Sequence, residues 1–446
     1  MKTSPLDSWI AKKTSLEGPG EGLSLSDLKA YRLHKLRDTV SCASSQSPFY
    51  RKKLSGFPVD DLRDISDFSR IPFTTVDDLE FCGPQFLCAS QSLVERVVTL
   101  NVPGPLKKNL RVYFSSNDLE RTVDFFHHGM TTFTEPGQKV MIMMPGKTPD
   151  SVGELLARSL RRIPAEGFIY GLVQDPSDAI REIMLHKTDV VVGIPTNILS
   201  LARHKQGSSI GRSTIKSVLL ASDYVSPGIV TELQLTWGCK VFCHYGSTEM
   251  GFEGGVECEN RNGYHLTESD LYFEIVDPES GEIEDAGEIG EVVFTTLTRE
   301  AMPLIRYRTG DLSRFIAEDC PCGSSLMRLD KIRGRIWDTL RLASNHWLGI
   351  QDLDDSIFCV PEVIDYQASL TSVNNASGLN LTVELRDGSD ETALEKVKLK
   401  LKENIIVNSA MKDGALLIGA VAVGKIAKPS STAVKRTISD QRASSA

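Results

Sequence analysis

The chain has 446 residues, 41% of them hydrophobic and 24% charged, enough apolar content for a sizeable core spread over two or three structural units. A formal net charge of -9 excludes a general nucleic-acid surface but allows a local basic pocket for phosphates. The opening Met1-Lys-Thr-Ser-Pro-Leu-Asp-Ser8 lacks the apolar core of a secretory signal, and the run 414–424 is too short and glycine-broken to span a bilayer.

Nine cysteines in a long chain without an export signal argue against a disulfide framework, so a cytoplasmic protein with mostly reduced, buried thiols and no membrane contact is expected. A homodimer is left open.

In chain order, short apolar runs alternate with amphipathic stretches at 140–145, 152–160, 168–173, 179–185, 189–194, 218–221, 230–237 and 241–245. This β-α-β-α rhythm predicts a doubly wound α/β sheet within an amino-terminal core at 1–249. Leu271, Phe273 and Ile275 then alternate with polar residues, Pro278-Glu-Ser-Gly281 supplies a turn, and 290–298 is again β-rich. Residues 250–333 are therefore expected to form an antiparallel subdomain. From 334 to 446 a small α+β lid domain is expected. There Ile364, Tyr366, Ala368 and Leu370 alternate, as do Leu379, Leu381, Val383 and Leu385; Leu394, Val397, Leu401 and Ile405 follow helical spacing, and 416–423 reads as a strand. The Ser/Ala/Lys-rich stretch 425–446 is expected to fray at its end.

Tyr245-Gly246-Ser247-Thr248-Glu249 follows directly on the strand expected at 241–245, and ligands of doubly wound sheets lie beyond the carboxyl ends of the strands. A tyrosine ring can stack on adenine, Gly246 and Ser247 suit a turn around a phosphate, Thr248 can hydrogen-bond an α-phosphate, and Glu249 can carry magnesium. In Tyr307-Arg308-Thr309-Gly310-Asp311, Asp311 can accept from both ribose hydroxyls. The plainer alternatives are a tyrosine packed at a strand end and an aspartate in a Gly-Asp turn.

These motifs, in this order and with Gly334-Arg335 after them, resemble those of the adenylate-forming acyl-CoA ligases, and the phenylacetate-CoA ligase branch most of all. The resemblance also runs through Ser47-Pro-Phe-Tyr50, Ile71-Pro-Phe-Thr-Thr75, Gly290-Glu-Val-Val-Phe-Thr-Thr-Leu-Thr298 and Met302-Pro-Leu-Ile-Arg306, covering nearly the whole chain. It implies that Tyr245 stacks on adenine, that Ala221-Ser222-Asp223 forms the adenine-edge segment, and that Thr248 contacts the adenylate phosphate. Glu249 would bind magnesium, Asp311 the ribose, and Arg335 would clamp ribose or phosphate, against the alternative of a solvated arginine.

Two segments depart from the family pattern. Where the family has a Ser/Thr/Gly-rich phosphate loop, this chain reads Asn101-Val-Pro-Gly-Pro-Leu-Lys-Lys-Asn-Leu110, in which only Gly104 and Lys108 match. Pro103 and Pro105 lack N–H donors, so a backbone nest for the β- and γ-phosphates is hard to build, although Lys107 and Lys108 can act as point charges. Near the carboxyl end, Ala433 takes the place of the family's catalytic lysine, leaving Lys435 as the nearest surviving candidate with Lys425 and Lys428 behind it; a solvated basic tail is the alternative.

Cys258, His265, Cys320 and Cys322 make a plausible tetrahedral zinc set with no open position for catalysis, against an alternative of buried free thiols. Similar positions occur in some relatives, and the metal would staple the β-rich subdomain. His127 and His128 lie on an apparent helix with Phe125 and Phe126, where packing is the plainer reading and a substrate-pocket role the sharper one.

The resemblance implies a two-step reaction: a small-molecule carboxylate attacks ATP to give an acyl-adenylate and pyrophosphate, and coenzyme A then displaces AMP as the lid rotates. The proline-bearing loop and displaced lysine keep two alternatives open: a nucleotide-binding homologue impaired in catalysis, and an adenylyltransferase with an acceptor other than coenzyme A.

Overall fold

The computed structural model describes residues 3–14, 23–58, 61–102, 108–212, 214–374, 376–427 and 435–442, with the backbone alone at 101, 102 and 108. The chain gathers into two compact units: Met1–Glu135, Arg158–Pro164 and Cys243–Arg333 make the first, and Pro136–Ala157, Ala165–Phe242 and Gly334–Ala446 the second.

The second unit is built on four parallel strands in the spatial order Glu166–Ile169, Lys139–Met143, Val190–Gly193, Ser217–Leu220. The last two are buried throughout, as apolar strands covered by helices on both faces must be. Helices Pro176–His186, Pro195–Ala202 and Pro227–Trp237 each open on proline, whose missing N–H has no partner to lose in a first turn. The alternating rhythm read from the sequence is thus present. One strand is displaced: the run expected at 168–173 is a strand at Glu166–Ile169, and Gly171 at φ 91° turns the chain away.

The carboxy-terminal part of this unit pairs Val363–Val373 antiparallel with Ala376–Leu385, setting Leu370 opposite Leu379. Leu416–Val423 and Ile438–Asp440 add parallel strands at the two edges. The last of these was not legible in its polar composition, since Ile438 is its one buried residue. The helical spacing expected to reach Ile405 is broken. Thr392–Glu403 ends, and the Asn404 side chain accepts from the N–H groups of Ile406 and Val407 to start a new helix, Ile405–Lys412, leaving Ile405 85% exposed. One apolar core joins Leu199 and Trp237 to Phe358, Tyr366, Leu379 and Leu401.

In the first unit, Leu271–Val276, Gly290–Thr296 and Tyr307–Ser313 are antiparallel, as are Gly254–Glu257, Tyr264–Leu266 and Arg328–Leu329, in keeping with the β-rich reading of that stretch. Three of the segments that carried the family resemblance form one knot here. The Tyr50 hydroxyl accepts from Ile305 N at 2.8 Å and meets Thr74 Oγ1 at 3.1 Å, while Thr74 Oγ1 donates to Ile305 O at 2.7 Å. Thr74 N donates to Arg306 O and Arg308 N to Thr74 O. Arg306, at φ 46°, is held by Glu274 at 3.1 Å, by Ile71 O at 2.8 Å and over the Phe73 ring at 4.0 Å. This knot fixes the start of Tyr307–Ser313, the strand that carries Asp311.

Candidate nucleotide and metal sites

In the first unit, Tyr245 and Gly246 pair with Gly255 and Gly254 across an antiparallel ladder, and the intervening turn is closed by Phe252 N to Ser247 O at 2.7 Å and Gly251 N to Thr248 O at 2.9 Å. A Cβ on Gly246 would lie 2.6 Å from Glu253 O, so glycine is required here by the backbone crossing itself. The turn leaves Thr248 and Glu249 partly exposed while Tyr245 is buried.

The Tyr245 hydroxyl donates to Asp311 Oδ2 at 3.1 Å, and the Tyr307 hydroxyl donates to Glu249 Oε1 at 3.3 Å. Tyr307 and Asp311 lie on one strand, Tyr307–Ser313, on either side of an irregularity in its pairing where Gly310 takes φ 73°. The structure therefore brings Tyr245, Glu249, Tyr307 and Asp311 together. The motif Tyr307–Asp311 assigns Tyr307 no role by itself, because its partner Glu249 lies in a distant motif. The rest of that motif is structural: Arg308 pairs with Glu291, whose other oxygen accepts from Gly310 N at 2.9 Å, and Thr309 Oγ1 donates to Val292 O at 2.7 Å.

In the second unit, Ala221-Ser222-Asp223 leaves the carboxyl end of Ser217–Leu220, with Ala221 N bonded to Gly193 O at 3.1 Å and Ser222 at φ 75°. A non-glycine residue in this region is a local strain of the kind that collects at binding sites. Burial pushes the Asp223 carboxyl up, opposed by the charges of Arg436 and Lys435 and by the N–H groups of Tyr224 and Arg436. Lys435 thus stands by the adenine-edge segment named from the sequence. Arg335 lies on the short strand Gly334–Arg335, where its carbonyl accepts from Thr339 Oγ1 at 2.8 Å. Lys425 pairs instead with Glu384 at 3.0 Å. Lys428, Ala433, the loop 103–107 and the side chain of Lys108 lie outside the described residues.

The four candidate zinc ligands converge. Cys258 follows the strand Gly254–Glu257, His265 sits in Tyr264–Leu266 opposite Arg328, and Cys320 and Cys322 lie in a turn closed by Gly323 N to Cys320 O at 2.9 Å. Cys258 Sγ is 3.6 Å from Cys320 Sγ, Cys322 Sγ is 3.5 Å from His265 Nε2, and all four ligand atoms fall within 4.8 Å of one another. Zinc–sulfur bonds of about 2.3 Å give a tetrahedron with edges of roughly 3.8 Å, so the donor set fits. Burial by itself pushes the Cys258 thiol up to about 12 and the His265 imidazole down to about 4. A cation reverses that preference for the thiol by favouring the thiolate.

The helix Ser116–Met130 carries His127 and His128. His128 stacks on Trp9 at 5.3 Å, and burial lowers it to about 4, which fits a neutral packing role. All nine cysteines are free, five of them buried.

No family model matches the sequence. The phenylacetate-coenzyme A ligase of Thermus thermophilus is 29% identical over 385 residues, spanning 82% of this chain and 83% of that protein. The chain is similar to the phenylacetate-coenzyme A ligases over about four-fifths of its length. The Escherichia coli ligase of that name is 27% identical over 384 residues, covering 83% of this chain and 85% of its own length. Among solved structures, a 2-hydroxyisobutyryl-CoA ligase in complex with its acyl-AMP superimposes with a TM-score of 0.80 at 20% identity, over 96% of this chain and 94% of that one. An anthranilate CoA ligase bound to anthranoyl-AMP gives 0.57 at 15% identity, over 78% and 67%. The fold is close to that of these solved acyl-CoA ligases.

Proposed function

We propose that the protein is an AMP-forming carboxylate–CoA ligase. The observation that carries this is the meeting of Tyr245 with Asp311 beside Glu249 and Tyr307, in a chain related to phenylacetate-CoA ligases over four-fifths of its length. In the first step a carboxylate oxygen attacks the α-phosphorus of ATP, the α–β anhydride bond breaks and pyrophosphate leaves. In the second the sulfur of coenzyme A attacks the acyl carbon, the acyl C–O bond breaks and AMP leaves, the thiol proton passing to solvent.

Each residue has a task in this scheme. The Tyr245 ring offers a face to adenine, and its hydroxyl holds Asp311 in place to accept from the ribose hydroxyls. Thr248 donates to the α-phosphate, and Glu249, steadied by Tyr307, is the carboxylate that would hold magnesium. Magnesium, when bound, offsets charge on the phosphates. Lys435 adds a cation near the segment 221–223. Cys258, His265, Cys320 and Cys322 would hold a structural zinc that ties the ends of their strands together, with no part in the chemistry. The free thiols fit a reducing, cytoplasmic setting, and among the described residues no helix is long and apolar enough to cross a membrane.

ATP–pyrophosphate exchange across a panel of carboxylic acids, phenylacetate and small 2-hydroxy acids included, tests the reading; exchange with one acid, followed by thioester formation with coenzyme A, is the expected result. A second reading, nucleotide binding without adenylation, is favoured by Pro103 and Pro105 in the loop 101–110. AMP needs little from that loop and ATP depends on it, so AMP should bind at least as tightly as ATP and exchange should be slow. A Ser/Thr/Gly-rich replacement at 102–107 should raise ATP affinity and exchange together. No exchange with any acid by either form would leave the binding reading standing.

A further inference from the structure

Building on the ligase reading, we propose that Arg436 is a positioning residue that clamps the segment carrying Lys435 against Asp223, and that the adenylation half-reaction depends on this clamp. Arg436 is a poor candidate for a solvated tail residue, being 15% exposed in its side chain. Its guanidinium pairs with Asp354 at 2.5 Å, approaches Asp365 at 3.6 Å and donates to Tyr366 O at 3.3 Å. It lies 4.4 Å from the centre of the Tyr366 ring and 5.0 Å from that of Phe358. A planar, delocalised cation is the side chain able to meet carboxylates at its edge and aromatic rings on its face at once.

The partners of Arg436 are themselves fixed. The Tyr366 hydroxyl donates to Asp354 at 2.6 Å, and the helix Ile350–Ile357 is tied to the loop after Ser217–Leu220 by Ser226 Oγ to Asp354 O at 3.2 Å and by Tyr224 to Asp355 at 3.0 Å. The same loop supplies Asp223, which accepts the backbone N–H of Arg436 while also accepting Tyr224 N at 2.9 Å. Beyond Arg436 the chain is pinned again, by Ile438 paired with Ala368 and by Arg442 donating to Arg341 O at 2.8 Å. The segment 435–437 is therefore held at both ends, with Arg436 turned into the protein and its neighbour Lys435 beside Asp223. Mere packing of the carboxy-terminal sheet would account for the Asp365 and Tyr366 contacts but not for the link to Asp223.

The test compares Arg436→Met, Arg436→Lys, Lys435→Ala and the double variant Arg436→Met/Lys435→Ala. Three readouts are used: amide hydrogen exchange over 435–442, ATP–pyrophosphate exchange with the preferred acid, and thioester formation from that acid's synthetic adenylate. Arg436→Met should loosen 435–442 and slow pyrophosphate exchange about 10- to 100-fold, the loss expected when a charged group is misplaced by an ångström or so, while thioester formation from the supplied adenylate changes little. Lys435→Ala should show the same split, the double variant should be no worse than either, and Arg436→Lys should recover part of the loss. Equal loss in both half-reactions, or additive losses in the double variant, overturns the proposal. Should Arg436→Met fail to fold, Asp223→Ala removes the acceptor of the Arg436 N–H while leaving the Asp354 pair, and must loosen 435–437. A protein without pyrophosphate exchange would sink the ligase reading alone, and hydrogen exchange would still decide the clamp: unchanged protection in Arg436→Met and Asp223→Ala overturns it.

Discussion

Tyr245 donates its hydroxyl to Asp311 Oδ2 across 3.1 Å, so the aromatic ring proposed for adenine and the carboxylate proposed for ribose are set by one another. Asp311→Ala should weaken AMP binding by about 2–3 kcal/mol by removing two charge-assisted hydrogen bonds to the ribose. Tyr245→Phe keeps the ring and loses only the tether, for about 1 kcal/mol. Calorimetry on folded variants measures both, and an unchanged AMP affinity in Asp311→Ala would remove this assignment.

The bond from Tyr307 to Glu249 makes a different demand. Tyr307→Phe deletes one hydroxyl and should leave the fold intact, since the ring stays packed edge-on to Phe294 at 5.5 Å. A carboxylate without that donor is less well oriented, and the magnesium concentration for half-maximal pyrophosphate exchange should rise roughly fivefold, equivalent to about 1 kcal/mol. A magnesium titration indistinguishable from that of the unaltered protein would show that Glu249 is not the carboxylate concerned.

Protein purified without chelator should contain about one zinc per chain, and Cys320→Ser should lose metal and several degrees of Tm together. Metal analysis finding none under reducing conditions would return Cys258, His265, Cys320 and Cys322 to the role of buried neutral groups.

Glu253 is buried just after the signature turn, and desolvation raises its carboxyl to about 8, helped by Asp270 and opposed by Lys13, Arg299 and Arg121. Its folded pKa lies above its unfolded value of about 4.3. The contribution of its protonated form to stability is therefore complete below that unfolded value and is lost as pH rises through about 8. Glu253→Gln should flatten the fall in Tm between pH 5 and pH 9, leaving the variant the more stable of the two at pH 9. Parallel melting curves of the two proteins across that range would contradict a raised Glu253.

How much of this was legible in the sequence depended on whether a group's partner lies nearby in the chain. Tyr245, Glu249 and Asp311, which the structure brings together, are each picked out by a short motif. Tyr307 stands in a quoted motif without a role and Arg436 is not singled out by the sequence, because Glu249, Asp354 and Asp223, the groups they meet, lie between 58 and 213 residues away, as the numbers 307–249 and 436–223 give. Periodicity located the helices and strands of the parallel sheet, where burial on both faces imposes a strong apolar signal. It failed at Ile405, where Asn404 restarts a helix without disturbing the spacing, and at Ile438–Asp440, a strand on the sheet's edge that buries a single side chain.

The knot of Tyr50, Thr74 and Ile305 bears on how such chains evolve. Its residues come from recognisable stretches of the sequence, yet the two hydroxyls bond to one another and to the backbone of Ile305, inside the protein. Selection for folding alone would preserve them. A lineage could thus change the residues that meet its ligand and still carry its ancestor's signature unaltered.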